Sequence, residues 1–218
     1  MSDTDSFIDE VTEEVRRDRL FAKFKRYGWI GVVIVLAIVG GTAYREYSKA
    51  QEAAQAQALG DSILSALEAE DRAARIDALA GVDAPEGGAQ SVLTLLLASE
   101  EGAEGDDAAA VARLQALAND SSQPQIYRQI ASFKALTRGA SFLPLDERRA
   151  GFEALAVPGQ PLRLLAEEQL ALIEVEQGAR DAALTRLQGI IADAEVTTGL
   201  RRRASQLIVA LGGELEQG

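Results

Sequence analysis

Apolar positions follow three regimes along this chain. Between Ser6 and Arg26 they are spaced: Phe7, Ile8, Val11 and Val15 form a stripe of the i, i+3, i+4, i+7 type, and Leu20, Phe21 and Phe24 continue it. From Tyr27 to Tyr44 eighteen residues pass without a charge. From Arg45 onward Leu and Ala recur at helical spacing in short units separated by turn residues. β-Branched residues concentrate in the middle regime, while the strong helix formers Ala and Leu dominate the last. The pattern predicts an all-α protein in three parts: a helical tip (1–26), a single transmembrane helix (27–44) and a helical domain (45–218).

Eighteen residues at ~1.5 Å rise reach ~27 Å, about the thickness of bilayer hydrocarbon. Arg26 and Arg45 bound the run, with Tyr27 and Trp29 at one end and Tyr44 and Tyr47 at the other, as interfacial aromatics would stand. A buried globular helix is the alternative, but the remaining amphipathic helices are poorly suited to enclose a helix apolar all round. A cleaved signal peptide is another, since Gly41-Thr42-Ala43 resembles a small-x-small site. The 26 residues before the run, with seven acids, are unlike a short basic leader. Arg16, Arg17, Arg19, Lys23, Lys25 and Arg26 precede the span, against Arg45 and Lys49 in the twenty residues beyond it. The excess of bases predicts an N-terminus in the cytoplasm and an exported C-terminal domain. Within the span, Ala37 and Gly41 lie one turn apart and offer a close seat for a partner helix, or small residues without a partner.

The tip reads as an amphipathic helix, with Asp5 or Ser6 as cap, acids in its first half and bases in its second. Its stripe of Phe7, Ile8, Val11 and Val15 either binds a protein partner or leaves the basic half on anionic lipid; a largely disordered tip is the third reading.

Punctuation divides the last regime at Val82–Gly88, Glu101–Asp106, Asn119–Pro124, Gly139–Pro144, Pro158–Pro161, Gln177–Gly178 and Thr197–Gly199. Between breaks the helical spacing persists, as at Leu164, Ala171, Leu172 and Val175. The segment also repeats. Shifted by 73 residues, Ala110–Gly139 aligns on Ala183–Gly212 without a gap and with nine of 30 positions identical, Arg113/Arg186, Gln115/Gln188, Asp120/Asp193 and Ser132/Ser205 among them. Composition bias inflates Ala and Leu matches but not these. Seventy-three residues is about two helical hairpins, which predicts an α-solenoid; a generic helical bundle is the alternative.

One hairpin carries a family likeness. Ala171, Gly178, Ala183, Leu187 and Ile190 match the 34-residue spacing of a tetratricopeptide repeat, although Glu167 and Glu174 occupy the consensus Trp and Tyr positions and no Pro closes the unit. The repeat is therefore TPR-like and degenerate. The segment FIDEVTEEVRRDRLFAKFKRYGW, the single span, the hairpin Gly178–Leu184 and the closing GLRRRASQLIVALGG together resemble the YfgM-like, tetratricopeptide-repeat-like inner-membrane proteins. That resemblance implies a periplasmic domain ancillary to the SecYEG translocon, in contact with periplasmic chaperones, and no catalytic residues to carry over.

Composition narrows the chemistry. The chain has no Cys and no His, which removes thiol nucleophiles, disulfides, zinc sites built on these residues and imidazole catalysis. From Arg45 onward 27 acids face 16 bases, a net −11 that repels phosphate backbones, so nucleic acid is not an expected partner. The acid clusters Glu100-Glu101, Glu104, Asp106-Asp107 and Glu167-Glu168 read as solvated surface, and EEGAEGDD lacks calcium-loop spacing. Catalytic, cofactor and metal residues are therefore expected to be none, and no small-molecule substrate is expected. Arg201, Arg202 and Arg203 form a partner-binding candidate, or a solvated flank with one Arg packed along its stem. Function is expected to come from surfaces: a membrane-tethered interaction module of the Sec translocon, or an accessory subunit of another inner-membrane complex, respiratory or envelope, held through its span and tip.

Overall fold

The structure is a computed structural model that describes the backbone of residues 3–214 and the side chains of residues 29–31 and 33–214. Among the described residues there is no strand, in agreement with the composition. The helices are α1 (Asp3–Leu67), α2 (Arg72–Ala80), α3 (Gly88–Glu104), α4 (Asp107–Asn119), α5 (Gln125–Arg138), α6 (Leu145–Leu155), α7 (Arg163–Glu176), α8 (Arg180–Ala192) and α9 (Thr198–Ala210), with a 3₁₀ turn at Gly139–Ser141. The chain divides into two compact units, Met1–Ala58 and Leu59–Gly218.

The first unit belongs to α1. The stripe Phe7, Ile8, Val11 and Val15, the bases Arg16, Arg17, Arg19, Lys23, Lys25 and Arg26, and Tyr27 lie outside the described side chains. Within Trp29–Leu67 an eighteen-residue window has a mean hydropathy of 1.4 and is 0% buried, so α1 is long and apolar enough to cross a membrane. Trp29, Ile34, Leu36, Ile38, Tyr44 and Tyr47 are all exposed. Ala37 and Gly41 are exposed too, with open space beside Gly41.

In the second unit each helix packs on its neighbours in sequence: α2 on α3, and so on through α8 on α9, with α3 also touching α5. Nearest-neighbour stacking of this kind is the scheme of a helical-repeat array. The apolar interior is correspondingly beaded. Leu79, Leu93 and Leu97 close around Ala66 at the end of α1. Ala98, Ala110, Leu114, Leu117 and Ala131 join α3, α4 and α5. Leu136, Phe152, Leu155, Ala166 and Leu170 join α5, α6 and α7, with Phe133 meeting Phe152 edge-on at 5.7 Å between ring centroids. Ala171, Leu187, Ile190, Leu200, Ala204 and Ile208 join α7, α8 and α9.

The 73-residue repeat holds in three dimensions. Shifting α4 by 73 residues reproduces the bounds of α8, and α5 so shifted starts with α9. The crossing alanines Ala110 and Ala183 are both 0% exposed, as are Ala131 and Ala204. At those points a larger side chain would hold the helix axes apart. Both hairpins turn on a left-handed glycine, Gly105 (φ +103°) and Gly178 (φ +73°). In each, the next amide donates back to a carbonyl of the preceding helix, Asp106 to Glu101 at 3.0 Å and Ala179 to Glu174 at 2.8 Å.

Two expected boundaries shift and one further turn appears. Helix α3 runs to Glu104, past the predicted break at Glu101, because Gly105 rather than Gly102 adopts the left-handed terminus. The last break falls at Asp193–Thr197. Thr197 Oγ1 accepts from the Leu200 amide at 3.3 Å and starts α9, so Gly199 lies inside the helix. A turn between α1 and α2, marked by neither Gly nor Pro, is set by Asp71, whose carboxylate accepts from the Ala74 amide at 2.7 Å. The apolar stripe of α7 also rotates from its expected position. Ala166, Leu170, Ala171 and Ile173 are buried, whereas Val175 is 37% exposed.

Candidate interaction surface

Charged side chains that looked like solvated surface in the sequence are partly interior. Glu101, Glu168 and Glu174 are only 7%, 6% and 6% exposed, and each meets an arginine from another helix. Arg113 on α4 donates from Nε to both oxygens of Glu101 on α3, at 3.0 and 2.9 Å, and from Nη2 at 2.5 Å. In the second copy Arg186 on α8 donates to Glu174 on α7 from Nε at 3.0 and 3.1 Å and from Nη2 at 2.7 Å. Arg186 Nη1 also donates to Glu167. The two glutamates that depart from the TPR consensus thus share one guanidinium. Hydrogen bonding to Glu174, opposed by burial and helped by Glu167, raises the Arg186 pKa. Two apolar packing positions have become a hydrogen-bonded ion cluster.

These partners were missed in the sequence because the aligned window opened at Ala110. Carrying the same 73-residue shift upstream pairs Glu101 with Glu174, Gly105 with Gly178 and Ala98 with Ala171.

The repeat extends to its turns. Asp120 Oδ1 accepts from the Ser122 amide at 2.9 Å, and Asp193 Oδ1 from the Glu195 amide at 2.8 Å. In the first copy the buried Ser91 donates to Gln123 Oε1 at 2.8 Å, while Gln123 Nε2 reaches Gln90 and Asp120. In the second copy Arg163 stands where Gln90 does, and donates to Asp193 at 2.8 Å and Glu195 at 2.9 Å.

The basic run on α9 divides. Arg203 is committed, with Nε and Nη2 donating to the two oxygens of buried Glu168, both at 2.7 Å. Arg201 and Arg202 are exposed. All three are exposed, but Arg203 is tied to a buried carboxylate while Arg201 and Arg202 show no such pairing, which leaves these two as the freer part of the run. Elsewhere, Arg148 holds Glu176 through two bonds of 3.0 Å between α6 and α7. Arg138 lies over Gly102 and donates to Asp107 at 2.7 Å, tying α5 to α3 and α4.

Between these pairs the surface is grooved. A cleft of about 710 Å³ runs between α7 and α8, with Leu164, Ala182, Thr185, Gly189 and Ile190 along it and the Glu167–Arg186–Glu174 cluster in its wall. A second, of about 450 Å³, lies among α3, α4 and α5 beside Leu95, Phe133 and Arg138. A third, of about 440 Å³, opens beside the starts of α7 and α9. Among the described residues no group of carboxylates is arranged to hold a metal ion. These surfaces offer shape, apolar walls and fixed charges, which are the means of protein recognition.

Comparison with curated proteins and with solved structures returns no match. The model of the tetratricopeptide repeat-like domain matches residues 19–136, from the tip through the apolar run to α5, and the internal repeat carries the same helix–turn–helix plan on through α9. With just over half of its length matched, the chain belongs to the tetratricopeptide repeat-like domain family.

Proposed function

We propose that this chain is a single-pass, membrane-anchored protein-interaction module of the inner membrane, with its tip in the cytoplasm and its helical-repeat domain in the periplasm. The observation that carries the reading is the join of two features in one chain: a repeat domain of interaction type, and an apolar helix with six basic residues on one side. Tethering keeps the repeat surface at high effective concentration beside a membrane partner. The likeness to YfgM-like proteins supports a finer form, in which the module is ancillary to the SecYEG translocon and links it to periplasmic chaperones during export and folding.

Mild-detergent purification of the tagged full-length chain, followed by mass spectrometry, tests the finer form. Translocon subunits together with a periplasmic chaperone are the expected companions. Recovery of a respiratory or envelope complex alone would instead make the chain an accessory subunit of that machine. A reporter fused after residue 50 tests the topology, and activity only in the cytoplasm would overturn it.

A further inference from the structure

The two repeat copies differ at one place in a way that bears on what the domain binds. In the first copy the Tyr127 ring, at the start of α5, lies against Gly88 at the start of α3. A Cβ on Gly88 would stand 3.3 Å from the ring edge and 3.6 Å from the hydroxyl. The 73-residue shift puts Leu200 in the place of Tyr127 and Pro161 in that of Gly88. Here the structure has a pocket of about 440 Å³, walled by Pro161, Leu164, Leu165 and Leu200. Leu200 is 3% exposed and its short side chain belongs to the wall. At the positions that hold a ring against a glycine in the first copy, the second copy has an opening with apolar walls and a polar rim of Gln160, Arg163, Glu195 and Thr197.

The rim carries a charge preference. Arg163 is shared between Asp193 at 2.8 Å and Glu195 at 2.9 Å, so one cation faces two carboxylates. The Glu195 side chain is 75% exposed and borders the pocket. Because Glu195 is so exposed, its carboxylate can accept from a cationic neighbour as well as from Arg163.

We propose that this pocket receives a tyrosine or phenylalanine side chain from a protein partner, with a lysine or arginine of the same segment against Glu195. The proposal rests on the reading of this domain as an interaction module and names the chemistry of its partner. A buried ring supplies large contact area at the loss of few rotors, which is why aromatic anchors dominate many interfaces.

The test uses the full-length chain in detergent micelles with labelled leucine methyl groups. The probes are p-cresol, a tyrosine side-chain analogue, and blocked Lys-Tyr-Lys. Both should produce saturable methyl shifts at Leu164, Leu165 and Leu200. Lys-Leu-Lys and Glu-Tyr-Glu should bind at least about tenfold more weakly than Lys-Tyr-Lys. Leu200→Tyr should fill the pocket from within and abolish the shifts while helicity is kept. The double variant Pro161→Gly/Leu200→Tyr copies the Gly88–Tyr127 pair and should do the same where Pro161 crowds the new ring. Absence of saturable shifts at these leucines overturns the proposal, as do shifts that persist in both variants. Crosslinking in membranes separates the two levels. Partners retained equally by Leu200→Tyr reject the pocket but leave the interaction module standing. No crosslinked partner for either protein counts against the module itself.

Discussion

Arg186 grips Glu174 through three hydrogen bonds, and 73 residues earlier Arg113 grips Glu101 in the same way. The pair joins the two helices of each hairpin, with the glutamate four residues before the left-handed glycine and the arginine eight after it. Arg186→Met leaves Glu174 buried without its cation, at an expected cost of about 2–3 kcal/mol. Adding Glu174→Leu should recover most of that loss, because an uncompensated buried charge costs more than an apolar replacement. Urea unfolding followed by helical circular dichroism measures both variants. A single variant as stable as the parent would show the pair to be energetically idle.

Two glycines of the second hairpin should respond in opposite directions. Gly178 has φ +73°, so Gly178→Ala should destabilise by about 1 kcal/mol. Gly189 lies within α8 with nothing within 4 Å of an added Cβ, and Gly189→Ala should stabilise by about 0.5–1 kcal/mol. The same unfolding assay reads both, and equal signs would contradict the backbone assignment.

The basic run on α9 should split by function. Arg201→Glu/Arg202→Glu changes exposed side chains and is expected to leave stability within about 0.5 kcal/mol. Any partner that uses the run should be lost by this variant. Arg203→Glu removes the cation from buried Glu168 and sets a half-exposed carboxylate beside it, and should cost about 1–2 kcal/mol. Measuring partner capture and unfolding on both variants separates recognition from scaffold. Loss of stability in the first variant would undo the division.

Acid should loosen the middle of the array. The hydrogen bonds from Arg148 hold the Glu176 pKa below its ordinary value of 4.5. Its contribution is therefore fully present above that value and is lost as pH falls through the lowered folded pKa. Asp193, held low first by the Glu195 amide and then by Arg163, behaves in the same sense. Unfolding midpoints should fall between pH 5 and 3, more gently in Arg148→Met than in the parent. Parallel acid limbs for the two proteins would exclude the Arg148–Glu176 pair as a source of the slope.

Much of this fold was legible as a period. Ala110/Ala183 and Leu114/Leu187 announced both the helix spacing and the repeat, because close helix crossings tolerate few residue types. Gly178 likewise marked its turn. The carboxylates were harder to read. Glu101 lies beside Glu100 in an acidic stretch, and its cation stands twelve residues away on the next helix. Linear pattern reports local polarity, whereas the burial of a charge depends on which side chain the fold brings against it. The Asp71 cap escaped notice because a single cap residue carries little signal without Gly or Pro nearby, whereas at Thr197 the neighbouring Gly199 drew the expected break past the true helix start. The pocket at Leu200 was invisible for a simpler reason: a missing ring is evident only beside the copy that has one.

The ion pairs that join separate helices link residues 12 to 35 positions apart, from Glu101–Arg113 to Glu168–Arg203. Such short reach means that each hairpin meets its stabilising partners soon after its own residues become available. A chain that becomes available from its N-terminal end can therefore consolidate progressively while later helices are still arriving. The order of assembly is written into the spacing of its charges, and the earliest hairpins gain their clasps first.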